Sequence, residues 1–128
     1  MSQIEIHVEL AEPAFSAPLD YHYFQSVLIN LLSNAAESIT TDHGEIVLQA
    51  ARRDVDQMVE FSVSDNGSGI AQDQLLTLFT PFKSTKAKGL GIGLYQCKTI
   101  VEAHKGKIYV ESGEGRGTTF RIELPLGQ

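Results

Sequence analysis

The sequence has a single cysteine, few basic residues, and no apolar run near the roughly 20 residues a membrane-spanning helix needs. Cys97 alone excludes an internal disulfide and a cysteine-built zinc site, which fits a reducing compartment. No charged leader precedes an apolar segment and cleavage site, so neither a secretion signal nor a membrane span is expected. Ten basic against sixteen acidic residues, a net charge of -6, argue against non-specific binding to nucleic acid or an anionic membrane. No internal repeat or low-complexity linker divides the chain, so residues 1–128 are read as one domain. With 42% hydrophobic and 20% charged residues the composition is that of a globular domain rather than a disordered segment.

The scarce positive charge is concentrated. All six lysines lie in residues 79–107, whose only acid is Glu102. Lys98, Lys105 and Lys107 fall near the end of an expected helix, where the macrodipole favours cations. Lys83, Lys86 and Lys88 lie in a loop and have no such reason.

Hydrophobic periodicity outlines the elements. Residues 3–10 alternate Ile4, Ile6, Val8 and Leu10 with polar neighbours, the pattern of a half-buried strand. Phe24, Val27, Leu28, Leu31, Leu32, Ala35 and Ile39 recur at helical spacing and predict a helix over about 21–39, with Asp20 as its N-cap. Strand-like runs at 45–53 and 58–64 form a hairpin. A short helix over 71–79 aligns Leu75, Leu76 and Phe79 on one side and is closed by Pro81. Leu94, Cys97, Ile100, Val101 and His104 predict a further helix that stops at Gly106, with His104 in the core or capping the end. The chain closes with a second hairpin around GEGRG. The order β-α-β-β-α-α-β-β, without strict βαβ alternation, predicts an α+β fold with helices packed on a mixed sheet.

Eight of the eleven glycines fall in three clusters, at 67–69, 89–93 and 113–117. The first and last are ordinary turn sequences in isolation. The middle one runs into a helix, where unpaired N–H groups make an anion site, and Lys86 and Lys88 just upstream point to phosphate. It is neither a Walker A loop nor a Rossmann fingerprint, since it lacks Gly-Lys-Ser/Thr and has the wrong glycine spacing. On the first helix Asn30 and Asn34 form an i, i+4 polar pair beside the apolar stripe, and a neutral amide oxygen there suits Mg²⁺, which takes only one or two ligands from protein. Asp65 continues the register of Val59, Phe61 and Val63, so its carboxylate turns toward the interior and needs a partner such as an exocyclic amine. Thr118, in register with Phe120, Ile122 and Leu124, presents a hydroxyl to the same interior.

Taken in order, Asn-x-x-x-Asn, DNGSGI, LFTPF, GLGIGL and GRGTTF resemble the N, G1, F, G2 and G3 boxes of bacterial sensor histidine kinases across residues 20–126. The resemblance places the chain with the gyrase, Hsp90, histidine kinase and MutL superfamily, and implies its Bergerat-type ATP-binding sandwich: a mixed sheet of about five strands on three helices. It implies that ATP and Mg²⁺ are the cofactors. On matching positions, Asp65 would bind the adenine amine, Gly67, Gly69, Ile70 and Thr118 would belong to its pocket, and Asn34 would ligate Mg²⁺ with Asn30 assisting near the phosphates. Gly89, Gly91, Gly93 and Leu94 would present N–H groups to the phosphates. Phe79 and Phe82 would anchor a short lid, residues 83–90, similar to that of nitrogen-regulation kinases. Phe82 also counts among the nucleotide-binding positions, and Lys86 is the expected phosphate contact.

Two departures qualify the resemblance. Glu37 stands where some members carry a basic residue, so positive charge must come from the lid. Asn30 stands where ATP-hydrolysing branches carry a glutamate base, and an amide cannot take a proton from water at neutral pH. Hydrolysis by general base catalysis is thus disfavoured, and a hydrolysing conformational switch and a non-catalytic nucleotide-binding scaffold are the alternatives to a kinase domain. None of His7, His22, His43 or His104 has the family's phospho-acceptor context. The expected partner is thus a separate dimerisation and histidine-phosphotransfer domain of the same kinase, with a response regulator receiver domain served indirectly. No nucleic acid or membrane contact is expected of this domain, which is read as monomeric and cytoplasmic even where the parent kinase is anchored in the inner membrane.

Overall fold

A computed structural model describes residues 3–10, 21–40, 43–53, 55–80 and 93–125. Among them the order is β1 (Gln3–Leu10), α1 (Tyr21–Ser38), β2 (His43–Arg53), β3 (Met58–Asp65), α2 (Gln72–Leu75), α3 (Gly93–Ala103), β4 (Lys107–Ser112) and β5 (Thr118–Pro125). The strands form one mixed sheet in the order β1-β2-β3-β5-β4, so the fold is α+β as the order of elements implied. β2–β3 and β4–β5 pair antiparallel, as hairpin strands joined by short connections do. β1 and β2 pair parallel, which requires a long crossover, and their connection carries α1.

One face of the sheet holds the core. Val59 and Val63 of β3 share a face with Phe120, Ile122 and Leu124 of β5, because directly opposed residues of an antiparallel pair point the same way. Val27, Leu31 and Ala35 of α1 and Cys97 and Val101 of α3 close over them, all within 2% of full burial. The opposite face is polar. There Arg53 meets Glu123 at 3.1 Å and Arg121 meets Glu111 at 2.9 Å, solvent-accessible pairs that add little to stability.

Four local expectations need correction. β1 is not half-buried: Ile4, Ile6 and Val8 are 36%, 58% and 59% exposed, because α1 packs over β2 and β3 and against α3, leaving β1 at the edge. The helix expected over 71–79 winds only through Gln72–Leu75, after which the N–H groups of Thr77, Leu78 and Thr80 turn back to carbonyls three residues earlier. Helical spacing therefore does not carry across, and Leu76 is 84% exposed while Leu78 and Phe79 pack against the core. α3 is ended by Lys105 rather than Gly106. Lys105 takes φ 64, its N–H bonds to Glu102 O at 2.9 Å and that of Gly106 to Val101 O at 2.9 Å, the two bonds of a Schellman cap. Gly106 is needed for space, since a Cβ there would sit 2.4 Å from Glu123 O. Lastly, Lys98 lies inside α3 and not at its end, with Nζ 5.9 Å from the centre of the Phe79 ring, so a cation–π contact replaces the macrodipole as its reason.

Candidate nucleotide site

α1 presents Asn30, Asn34 and Ser38 at i, i+4 and i+8, a polar ridge about 12 Å long at 1.5 Å rise per residue. All three are half-buried along the edge of the apolar stripe. At one end the ridge meets α3: Asn30 Oδ1 lies 3.5 Å from where a Cβ on Gly93 would stand. The Asn30 side chain also hydrogen-bonds the Cys97 thiol, whose pKa burial pushes up to about 11 while that bond pulls it back. Cys97 further directs its S–H at Val27 O, 3.7 Å away, so α1 and α3 are tied at the level of Asn30. Gly93 and Leu94 are the first two residues of α3, and Leu94 packs on the core.

At the other end the ridge meets the end of β3. Asp65 stands opposite Thr118 on the helix-covered face, as its register implied. Its Oδ1 accepts the Gly67 N–H at 2.8 Å and faces Ser38 Oγ at 3.2 Å. Gly67 is required by contact: a Cβ would be 2.3 Å from Ser38 Oγ and 2.6 Å from Ser38 O. Thr118 is 4% exposed and bonds Ser112 Oγ at 2.8 Å. Ser112 gives its one proton to Gly117 O at 2.9 Å and accepts the Ile70 N–H at 2.8 Å, so Thr118 is the donor between the two hydroxyls and keeps its own oxygen able to accept.

The two outer glycine clusters are stitched together here. Gly115 N–H bonds Ser68 O at 2.7 Å. Gly69 has φ +80 and a Cβ on it would be 2.0 Å from Gly113 O, while Gly117 has φ +80 and a Cβ on it would be 2.1 Å from Asp65 O. Backbone this close leaves no room for a side chain at Gly69 or Gly117.

The structure thus brings Asp65, Gly67, Gly69, Ile70 and Thr118 together at one corner, and Asn30 and Gly93 at the other end of the ridge, midway along α1, with Asn34 between. Phe82, Lys86, Gly89 and Gly91 lie outside the described residues, as do Asp20 and the lid. Phe79 packs edge-on against Phe120, ring centres 6.2 Å apart at 77°, so the last described turn before the lid is rooted in the core. Three residues escaped the sequence reading. Ser38 and Ser112 carry the hydroxyls that hold the corner. Asn66 extends the β2–β3 pairing with its side chain, accepting Glu45 N–H and donating to His43 O, each at 2.8 Å. An Asn before Gly in a loop signals a turn, but nothing local indicates whose backbone it serves. His104 caps its helix, with Nδ1 2.9 Å from Ile100 O.

The pattern of the histidine kinase-, DNA gyrase B-, and HSP90-like ATPases matches residues 19–128. The chain belongs to this ATPase family. Membership implies ATP binding, and the five-stranded sheet with its helices is the fold of the family's histidine kinase branch. The sensor histidine kinase ZraS of Escherichia coli K12 is 47% identical over 100 residues, 78% of this chain and 21% of that protein. Sporulation kinase E of Bacillus subtilis is 36% identical over all 128 residues, which are 17% of that kinase. Among solved structures, the catalytic domain of the histidine kinase ThkA superposes with a TM-score of 0.84 at 32% identity, covering 96% of this chain and 79% of that one. Full-length ShkA in complex with AMPPNP superposes with a TM-score of 0.86 at 30% identity, covering 98% of this chain and 26% of that one. The chain therefore spans about a fifth of the length of the curated kinases it resembles.

Proposed function

We propose that this domain binds Mg·ATP and presents the γ-phosphate to a histidine on a separate helical domain of a sensor histidine kinase. The observation that carries the reading is the α1 ridge, which joins a carboxylate corner suited to an amine-bearing base with the start of α3, suited to an anion. Asp65, held by Gly67, accepts the exocyclic amine of adenine, and Gly69, Ile70 and Thr118 border the base. Gly93 and Leu94, with Gly89, Gly91 and Lys86 of the preceding segment, receive the phosphates. Asn34 offers an amide oxygen, a hard neutral donor of the kind Mg²⁺ accepts, so the residues present fit that ion. When bound, Mg²⁺ neutralises phosphate charge.

Asn30 is held beside the start of α3 and has no basic atom, so it orients rather than deprotonates. A neutral imidazole needs no base: its nitrogen attacks the γ-phosphorus, the bond to the bridging oxygen breaks, and ADP leaves with the electron pair. Phosphoryl transfer of this type depends on positioning and charge stabilisation, the two things the ridge and the helix terminus supply. The phospho-acceptor domain and, beyond it, a receiver domain are the partners, and the domain works in the cytoplasm. No described helix is long and apolar enough to cross a membrane.

The test is transfer of label from [γ-³²P]ATP to a separately expressed cognate acceptor domain. Labelled acceptor histidine with little free phosphate is expected. Rapid release of phosphate without acceptor would favour a hydrolytic switch, and ATP binding without transfer or hydrolysis a scaffold.

A further inference from the structure

Ser38, the last residue of α1, touches the end of β3 and two residues of the loop that follows it. Its Oγ lies 3.2 Å from Asp65 Oδ1, its carbonyl accepts the Ser68 N–H at 3.0 Å, and its hydroxyl fills the place where a side chain on Gly67 would begin. The hydroxyl has one proton and two acceptors in reach, Ala35 O at 2.9 Å and the Asp65 carboxylate. A carboxylate makes the stronger bond, and a proton turned away from it would leave Ser38 lone pairs facing negative charge. We propose that Ser38 is a positioning residue for base recognition: its hydroxyl and the Gly67 N–H together grip Asp65 Oδ1 and fix the plane in which the carboxylate meets an exocyclic amine. This rests on the reading of Asp65 as the acceptor for that amine.

A carboxylate rotates readily about χ2, and a single donor to Oδ1 lets that atom swing along an arc around it, whereas two donors converging on Oδ1 from different directions narrow the arc and so set χ2. The second donor removes that rotation before the base arrives, so less freedom is lost on binding. Ser38 acts from the end of a helix anchored by Ala35 and Leu31 in the core, which makes it a rigid support. It stands 27 residues from Asp65 in sequence, and a serine at a helix end is otherwise unremarked.

The experiment compares Mg·ATP with Mg·purine riboside triphosphate, which lacks the exocyclic amine, by calorimetric titration of the wild-type chain and Ser38→Ala. The contact of Ser38 with Ser68 is main-chain and alanine favours helix, so the variant keeps its fold, checked by circular dichroism and thermal unfolding. Expected is a loss of about three- to tenfold in ATP affinity with the amine-free nucleotide nearly unchanged, so that the preference for ATP shrinks. Equal losses for both nucleotides, the mark of a merely structural role, would overturn the proposal, as would no loss for either. A preference that the wild type shows and Ser38→Ala retains in full overturns the role of Ser38 alone. A wild-type chain with no preference overturns both this and the role given to Asp65.

Discussion

Asp65 carries the most consequence of any single side chain in the corner. Asp65→Asn keeps the shape and an acceptor for Gly67 but removes the charge, so ATP affinity is expected to fall by about 1.5–3 kcal/mol while thermal unfolding changes little. Titration of the nucleotide together with a melting curve checks it. Cys97 gives a second prediction, in pH. The folded thiol ionises near 11 against an ordinary value of 9.0, because burial disfavours the thiolate. Below pH 9 both folded and unfolded chains keep the proton, and this group contributes no slope. As pH rises from 9 to 11 the unfolded chain ionises first, so stability drains away by up to roughly 2–3 kcal/mol. Urea unfolding across that window should show a shallower decline in Cys97→Ala than in the wild type. Lys105 supplies a third: at φ 64 it occupies a position glycine prefers, and Lys105→Gly should raise the unfolding free energy by about 0.5–1 kcal/mol, read from the denaturant midpoint.

Elements rather than residues account for the glycines. The loop after β3 and the β4–β5 turn press backbone to backbone, so the first and third glycine clusters serve one junction although some fifty residues separate them. Gly115 and Gly117 separate conformation from contact. Both have positive φ, +76 and +80, but a Cβ on Gly115 meets nothing within 4 Å whereas one on Gly117 meets Asp65 O at 2.1 Å. Gly115→Ala should cost about 1 kcal/mol, Gly117→Ala distinctly more than about 2 kcal/mol, and only the latter should also weaken ATP binding, because it moves Asp65. Chemical unfolding and nucleotide titration of the pair would decide it. α2 shows the opposite case: too short for helical periodicity to average over, it let Leu76 out and Leu78 in.

For the whole molecule, burial predicts a gradient of local stability. β3 and β5 are central, flanked on both edges and covered by α1 and α3, while among the described strands β1 pairs with β2 alone and leaves Ile4, Ile6 and Val8 exposed. Amide exchange should therefore be slowest in β3 and β5 and fastest among the strands in β1. Protection of β1 equal to that of β5 would mean its apolar side is covered in solution. The order of elements, the two hairpins and the apolar stripes of α1 and α3 were legible because each rests on periodicity within a few residues. So was the inward register of Asp65, which follows from the two-residue repeat of a strand.

What the sequence determined by itself was which residues share a face and which loops are free of side chains, since helix and strand repeats and the steric needs of glycine are local. Tertiary structure alone decided which faces meet: that Ser38 closes on Asp65, that Ser112 joins Ile70, Gly117 and Thr118, that Cys97 holds Asn30, and that β1 stays at the edge. Those pairings join residues far apart in the chain, and their stability depends on the burial and shape of everything between them, which no local repeat encodes.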